Sequence, residues 1–421
     1  MKVKDIKAIL KANKNISDYE ISIVDKDSRE LFYVLDHLEI NRAVKVSNTK
    51  IEIYVSNNKT IGSSTVTLTA ADDEKSLNKK INDAVKKAKA VKNDYYPLAD
   101  KTENIVEVSK TNRNLNDIAS KVAKAVFKAD VYKNGWINST EIFVSEFKEE
   151  FINSKGIDHK SNSFKIELEC IPTWSNKKEE FELYKYYKSN KIDYKQVTDE
   201  VDEILKLAKD RANALILKDV ELPSDIKVLV KNDMLETIVS NLTNDLSYRS
   251  TFMKYNHYNI NDTISNNEFN LTMKGTISGC ADSKKYDNHG VVLKSKKIIA
   301  NGKAKANHGD IRFGYYLNVD KVTGTYPVCQ IDAKPCDYKK QKHLIIETFS
   351  SPQLEESSGY WGGEVRLARY FDGKKYIPLT GFSIAGNIYE DMKNVEFSKE
   401  ETTSPIYKGP KYFIFNNLKI S

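Results

Sequence analysis

Cysteine is scarce: Cys170, Cys280, Cys329 and Cys336 are the only four in 421 residues, and no two form a Cys-x-x-Cys pair. That spacing gives no disulfide framework and no zinc ribbon, and the four read as reduced thiols. Proline is also sparse, with nine residues against 40% hydrophobic and 30% charged, so the chain lacks the polar, proline-rich tracts that remain unfolded. No apolar run approaches the roughly 20 residues of a membrane-spanning helix. The opening "MKVKDIKAILKANKN" breaks every apolar stretch with lysine, and no signal-peptide core forms. These absences predict a cytoplasmic protein with no membrane contact, long enough for two or three domains. The net charge of +7 is spread thinly over this length, so nucleic acid is not expected as a partner.

Recognisable catalytic patterns are missing too. The six histidines, His37, His159, His257, His289, His308 and His343, stand in no helical register with one another, as a local metal or acid–base motif would require. A G-x-S-x-G elbow is absent. "NGKAKANHGD" (301–310) and "SSGYWGGEVRLARYFDG" (357–373) are glycine-containing but lack the spacing of a phosphate-binding loop. Both read as loops or hairpin turns, the first small and basic enough to line a peptide cleft.

What the chain does contain is alternation. "KIEIYVSN" (50–57) and "TVTLTA" (65–70) have the period of two expected of strands, joined by a turn containing Gly62. In "KSLNKKINDAVKKAKAVK" (75–92), Leu77, Ile81, Ala84, Val85, Ala88 and Val91 fall at helical spacing. "NDYYPLAD" (93–100) looks like a domain exit. The theme repeats with a helix at 115–130, extended runs at 141–154 and 164–174 around the turn "NSKGID", and a helix at 198–213. The tyrosine-rich, charged stretch 175–191 fits a solvated edge strand. From "IKVLVK" (226–231) onward strands and Gly/Asn/Asp turns dominate. The reading is an α+β protein, with mixed strand and helix units over 1–105 and 106–222 and a β-rich domain over 223–421.

Within the last unit, "KNDMLETIVSNLTND" (231–245) forms a helix whose stripe is Met234, Leu235, Ile238, Val239, Leu242 and Leu246. Glu236, Ser240 and Thr243 share another face. Asp233 and Glu236 have the Asp-x-x-Glu spacing of a capping box, which predicts that the Glu236 carboxylate caps the helix.

The C-terminal segments "SSGYW" (357–361), "DGKKYIPLTGFSIAGNIYEDMKNV" (372–395) and "YFIFNNLKIS" resemble the TldD/PmbA family, also called modulators of DNA gyrase. Gly386 and Asn387 correspond to its Gly-Asn pair ahead of a short helix. Residues 60–100 and "FINSKGIDHKSNSFKIELECI" (151–171) are similar to the family's N-terminal strand-helix unit and its central hairpin. The resemblance implies the TldD/PmbA fold and a two-branch system: a zinc peptidase carrying H-E-x-x-x-H plus a cysteine near the chain end, and a partner without zinc. It also implies a dimer that holds an extended or unfolded peptide in an internal cavity.

On that pattern "LETIVS" (235–240) takes the place of H-E-x-x-x-H, with Glu236 kept, Leu235 and Ser240 at the ligand positions, and no cysteine after Asn387. Leucine offers no donor atom and neutral serine is a poor one. The expectation is a non-catalytic PmbA/TldE-like subunit without catalytic residues, metal or cofactor, forming a homodimer or a heterodimer with a zinc-bearing TldD-like subunit. Glu236, Ser240, Asn307 and His308 are the candidates for a peptide cleft. A hydrolase using His257, His289, His308 or His343 with a cysteine is the second reading, and a nucleic-acid-binding module the third.

Overall fold

The computed structural model of the chain describes residues 2–57, 59–69, 71–107 and 113–421. Its first half is built on one long antiparallel sheet. Strands β1 (Asp18–Val34), β2 (His37–Ser56), β3 (Thr60–Leu68), β4 (Asn93–Asp94), β5 (Gly135–Asn153), β6 (Asp158–Ser175) and β7 (Glu180–Glu182) lie in the order β4-β3-β2-β1-β5-β6-β7, and β8 (Lys185–Ser189) also pairs with β6. β1 is central, with β2 on one side and β5 on the other. Residues on either side of position 105 therefore share a single sheet.

Four helices form two cores on one face of it. Helices α1 (Val3–Ala12) and α2 (Glu74–Ala90) cover Tyr19, Ile21, Ile51 and Ile53. Helices α3 (Leu115–Phe127) and α4 (Tyr194–Ala212) cover Leu31, Ile142, Val144 and Leu168. The residues spaced for burial in α2, Leu77, Ile81, Ala84, Val85 and Ala88, are the ones buried. Gly62 is not in the connection between β2 and β3; it lies inside β3. A Cβ there would stand 2.1 Å from the Ala88 carbonyl oxygen and 2.3 Å from that of Val91, so glycine is what lets the end of α2 lie on the strand. The 175–191 stretch supplies the short strands β7 and β8 beside β6.

The opposite face meets the C-terminal half. Phe151 packs with Tyr286 and Ile311, His159 donates from Nε2 to the Gly290 carbonyl at 2.9 Å, and Asp282 bridges Lys165 at 3.4 Å and Lys188 at 3.0 Å.

Beyond residue 223 the chain forms nine strands of a ten-stranded sheet, whose tenth strand, Leu215–Ile216, pairs with Tyr376–Thr380, and a six-stranded sheet, around one large core. In the first, Lys227–Val230 lies between His343–Phe349, to which it is parallel, and Phe413–Phe415, to which it is antiparallel. Tyr360–Phe371 pairs with His343–Phe349 and with both Tyr376–Thr380 and Phe382–Asn387. In the second, Phe269–Lys274 sits between Lys296–Ala300 and Val328–Ala333. "NGKAKANHGD" opens as a tight hairpin whose Asn301 and Gly302 both have positive φ, at 49° and 73°. No helix among the described residues is long and apolar enough to cross a membrane.

Candidate functional site around helix α5

Helix α5 (Asn232–Asp245) follows directly on the strand Lys227–Val230 and buries Met234, Leu235, Ile238, Val239 and Leu242. Leu235, at the position resembling a first zinc ligand, is 1% exposed and belongs to the core around Val228, Leu271 and Phe413.

The predicted capping box does not form. The N-cap is Lys231, which offers no side-chain acceptor, and Glu236 lies in the second turn, too far along to reach the first free N–H groups. Lys231 is drawn elsewhere. Its ammonium is buried 2.5 Å from Glu347 Oε2 and 3.2 Å from Glu203 Oε1, and Glu347 also accepts from Arg369 Nε at 2.6 Å. This ion cluster links α4, the start of α5 and two central strands. Burial acts against the charge on Lys231, but the Glu347 and Glu203 carboxylates hold its pKa above the ordinary lysine value.

Glu236 is half-buried. Burial raises its carboxyl pKa, the Ser404 hydroxyl acts in the opposite direction, and the charges of Asp233 and Asp282 add to the rise. Cys280 is beside it, pushed up to about 12 by burial, with the nearby Lys408 lowering it and Glu236 and Asp282 adding to the rise. Burial likewise raises Cys329. Both thiols are therefore held protonated and are neither nucleophiles nor ready ligands.

A carboxyl with a raised folded pKa favours the fold below its unfolded pKa and loses that contribution as pH rises through the folded value. Glu236→Gln is accordingly expected to raise the melting temperature at pH 8 and to have little effect at pH 4. A lower melting temperature at pH 8 would mean that the carboxylate is held by a favourable partner.

Ser240 and Thr243 lie along the same helix, and Thr243 Oγ1 donates back to the Ser240 carbonyl at 2.9 Å. The other two candidates meet α5 at its far end. His308 donates from Nε2 to the Thr243 carbonyl at 3.0 Å, and burial lowers its pKa to about 4, so the ring is neutral near pH 7. Asn307 Nδ2 donates to the Leu246 carbonyl at 3.2 Å and to Thr251 Oγ1 at 2.9 Å. Thr243 is seven residues from Glu236, about 10 Å along the helix axis. The four candidates thus form two groups: Glu236 and Ser240 on the helix, and Asn307 and His308 tying a loop to its end.

This donor set does not suit zinc. Leu235 has only carbon to offer, and among the described residues no three His, Cys, Asp or Glu side chains converge on a point that could hold a metal. The histidines are dispersed: His257 stacks on Tyr389 at 3.8 Å, His289 lies 3.1 Å from Glu20, and His343 sits between the Gln341 carbonyl and the Tyr376 hydroxyl.

Gly386 and Asn387 have a clear structural role. A Cβ on Gly386 would lie 2.1 Å from Asp391 Oδ2 and 2.7 Å from Trp361 Nε1, the two atoms that hydrogen-bond each other at 2.7 Å. Asn387 accepts from the backbone N–H groups of Tyr389 and Glu390 as N-cap of the short helix Ile388–Asp391, and its Nδ2 donates to the Ser358 carbonyl at 2.9 Å.

Residues 224–421 match the PmbA/TldA metallopeptidase C-terminal domain. The whole fold is similar to TldE from Thermococcus kodakarensis, with a TM-score of 0.83 over 99% of both chains at 16% identity. It is also similar to a Thermotoga maritima protein that carries the modulator-of-DNA-gyrase name (TM-score 0.80, 100% of both chains, 12% identity) and to one from Bacteroides thetaiotaomicron with the same name (0.78, 99% of this chain and 98% of that one, 14%). No curated protein matches the sequence. Residues 224–421 thus match the PmbA/TldA metallopeptidase C-terminal domain model, and the fold of the chain as a whole is that of these TldE and modulator-of-DNA-gyrase structures.

Proposed function

We propose that the chain is a non-catalytic, PmbA/TldE-like subunit of a TldD/PmbA-type peptidase system, a cytoplasmic protein that dimerises with itself or with a zinc-bearing TldD-like subunit and helps to enclose an extended peptide. The observation that carries this reading is Leu235. At the place where the resemblance puts a zinc ligand, the helix turns a leucine into the core, where it is 1% exposed. Without a metal to polarise a carbonyl or acidify water, Glu236 has nothing to activate. An enclosing subunit would hold a peptide through backbone strand pairing, which reads extension more than side-chain identity. Glu236, Ser240, Asn307 and His308 are the residues proposed to border that peptide, the last two by shaping the loop beside α5.

The test is metal analysis of protein purified without chelator, together with peptidase assays on an unfolded peptide, alone and mixed with a zinc-bearing TldD-like subunit. The expected result is less than 0.1 zinc per chain, no cleavage alone, and cleavage in the mixture. Stoichiometric zinc that disappears when two of His257, His289, His308 and His343 are replaced would overturn the reading in favour of a metallopeptidase with unusual ligands.

A further inference from the structure

β2 is only half covered. It pairs with β1 from His37 to Tyr54, but β3 covers its outer side only from Thr49 to Ser56. Among the described residues, 37–48 therefore form an open strand edge, with N–H and C=O groups facing outward. Leu38, Ile40 and Val46 on it are each more than 40% exposed, as are Val34 and Leu35 at the hairpin tip. Long, apolar open edges are rare in isolated chains because they template pairing with another strand.

We propose that this edge pairs antiparallel with the same edge of a second copy, about a two-fold axis at Arg42. The proposal rests on the dimer in the reading above and names its surface. Two identical antiparallel edges must place the axis on a residue, because facing residues either both direct their backbone groups into the new ladder or both withhold them. An axis at Asn41 would set Ile40 against Arg42, and one at Ala43 would set Arg42 against Val44. An axis at Arg42 sets Ile40 against Val44 in both halves, Asn41 against Ala43, and Glu39 against Lys45.

The registers Glu30↔Arg42, Ser28↔Val44 and Phe32↔Ile40 put Ile40, Arg42 and Val44 on one face. Arg42 faces its own copy across the axis, but each guanidinium donates to its own Glu30 at 2.6 Å and lies over its own Phe32 ring, which draws the two charges away from each other. Lys45, 3.2 Å from Asp27 in its own chain, gains Glu39 of the second copy. The register shift between Phe32 and Tyr33 makes Glu39 the extra residue of β2, so the regular match runs from Ile40 to Val44 and the Glu39–Lys45 contact lies at its margin. Pairing over so few residues covers less than the roughly 1,200 Å² of a stable interface. The tip residues Val34, Leu35 and Leu38, carried past the axis, add apolar area. A two-fold axis also closes the assembly at two copies.

The test uses the full chain. Sedimentation velocity should show a dimer, and Ile40→Lys with Val44→Lys should weaken it at least tenfold with the circular dichroism and melting curve unchanged. Facing Cα atoms in such a pair are about 4.5–5.5 Å apart, within disulfide reach, so mild oxidation of Arg42→Cys should yield a covalent dimer. Asn41→Cys with Ala43→Cys should do the same, which keeps the test valid if losing the Arg42–Glu30 pair disturbs the strand. Ser47→Cys, which this register places about 34 Å from its counterpart, should not cross-link. A wild-type dimer that survives the lysine pair, or that fails to cross-link in both cysteine variants, overturns the proposal and leaves the subunit reading standing with a dimer on another face. A chain that is monomeric alone and pairs only with a zinc-bearing subunit also overturns it and keeps that reading.

Discussion

Glu347→Ala should cost the protein about 3–5 kcal/mol of stability, the loss that follows when one member of a buried ion cluster is removed and its partners keep their charges. Glu347 is 2% exposed, and its carboxylate is shared by Lys231, also buried, and by Arg369. Taking it away leaves an ammonium inside the fold with only Glu203, whose side chain is 42% exposed, to answer it. Glu203→Gln should cost less than about 1 kcal/mol, because a solvent-screened pair contributes little. Urea denaturation of the two variants and wild type under identical conditions measures both. An Glu347→Ala variant within about 1 kcal/mol of wild type would show that the cluster does not anchor the beginning of α5.

The second large effect is expected at Trp361. Its ring is fully buried, packs 4.9 Å from the ring of Phe415, and donates to Asp391 Oδ2 across the space that Gly386 leaves open. Trp361→Ala should destabilise by about 3–5 kcal/mol through the cavity it creates. Trp361→Phe keeps most of the volume but removes the N–H, leaving the Asp391 carboxyl, already raised by burial, without its donor; about 1–3 kcal/mol is expected. Equal losses in the two variants would assign the effect to the hydrogen bond alone, and a loss confined to the alanine variant would assign it to packing. Either result tests why the Gly-Asn pair is built as it is: glycine makes room for the indole–carboxylate contact, and asparagine caps the helix that carries Asp391.

The helices were the legible part of the fold, since burial in α2 and α5 follows a spacing of three and four residues that stands out in the sequence. β1 and most of β2 were not legible. "DKDSREL" in β1 and "HLEINRAVKV" in β2 alternate charge and apolar groups without a buried run, because one face of this sheet end is only partly covered and the outer edge of β2 is open. Pairing with β5 over 15 registers, which the sequence does not reveal, is what stabilises β1 as a strand.

At the site, the stripe that buries Leu235 was readable from the residues, whereas setting Leu235 and Ser240 at zinc-ligand positions rests on the family resemblance and not on the residues themselves. The capping role assigned to Glu236 failed because the start of α5 is set by contacts with residues far away in sequence. Lys231 is held by Glu203 and Glu347, and no local pattern encodes that pairing. A signal was present in hindsight: "VLVK" and "HLIIETF" each carry a charged residue within or at the end of an otherwise apolar strand, and such residues are seldom buried unless paired. His308 and Asn307 were noticed as small-loop polar residues, but their hydrogen bonds to the carbonyls of Thr243 and Leu246 depend on a contact spanning more than sixty positions.

The strand Lys227–Val230 has a further consequence, for how the molecule is made. Its two neighbours, His343–Phe349 and Phe413–Phe415, lie more than 100 and more than 180 residues away along the chain. Contacts of such long range are slow to form, because the loops they close must lose their freedom before the pairing repays it. During synthesis, Val228 and Leu229 leave the ribosome long before either neighbour exists, and the sheet that carries α5 stays incomplete until Phe413–Phe415 have emerged. The apolar strand and the buried face of α5 are thus exposed for most of that time, and the C-terminal half is where premature termination or slowed translation would leave the chain most open to aggregation.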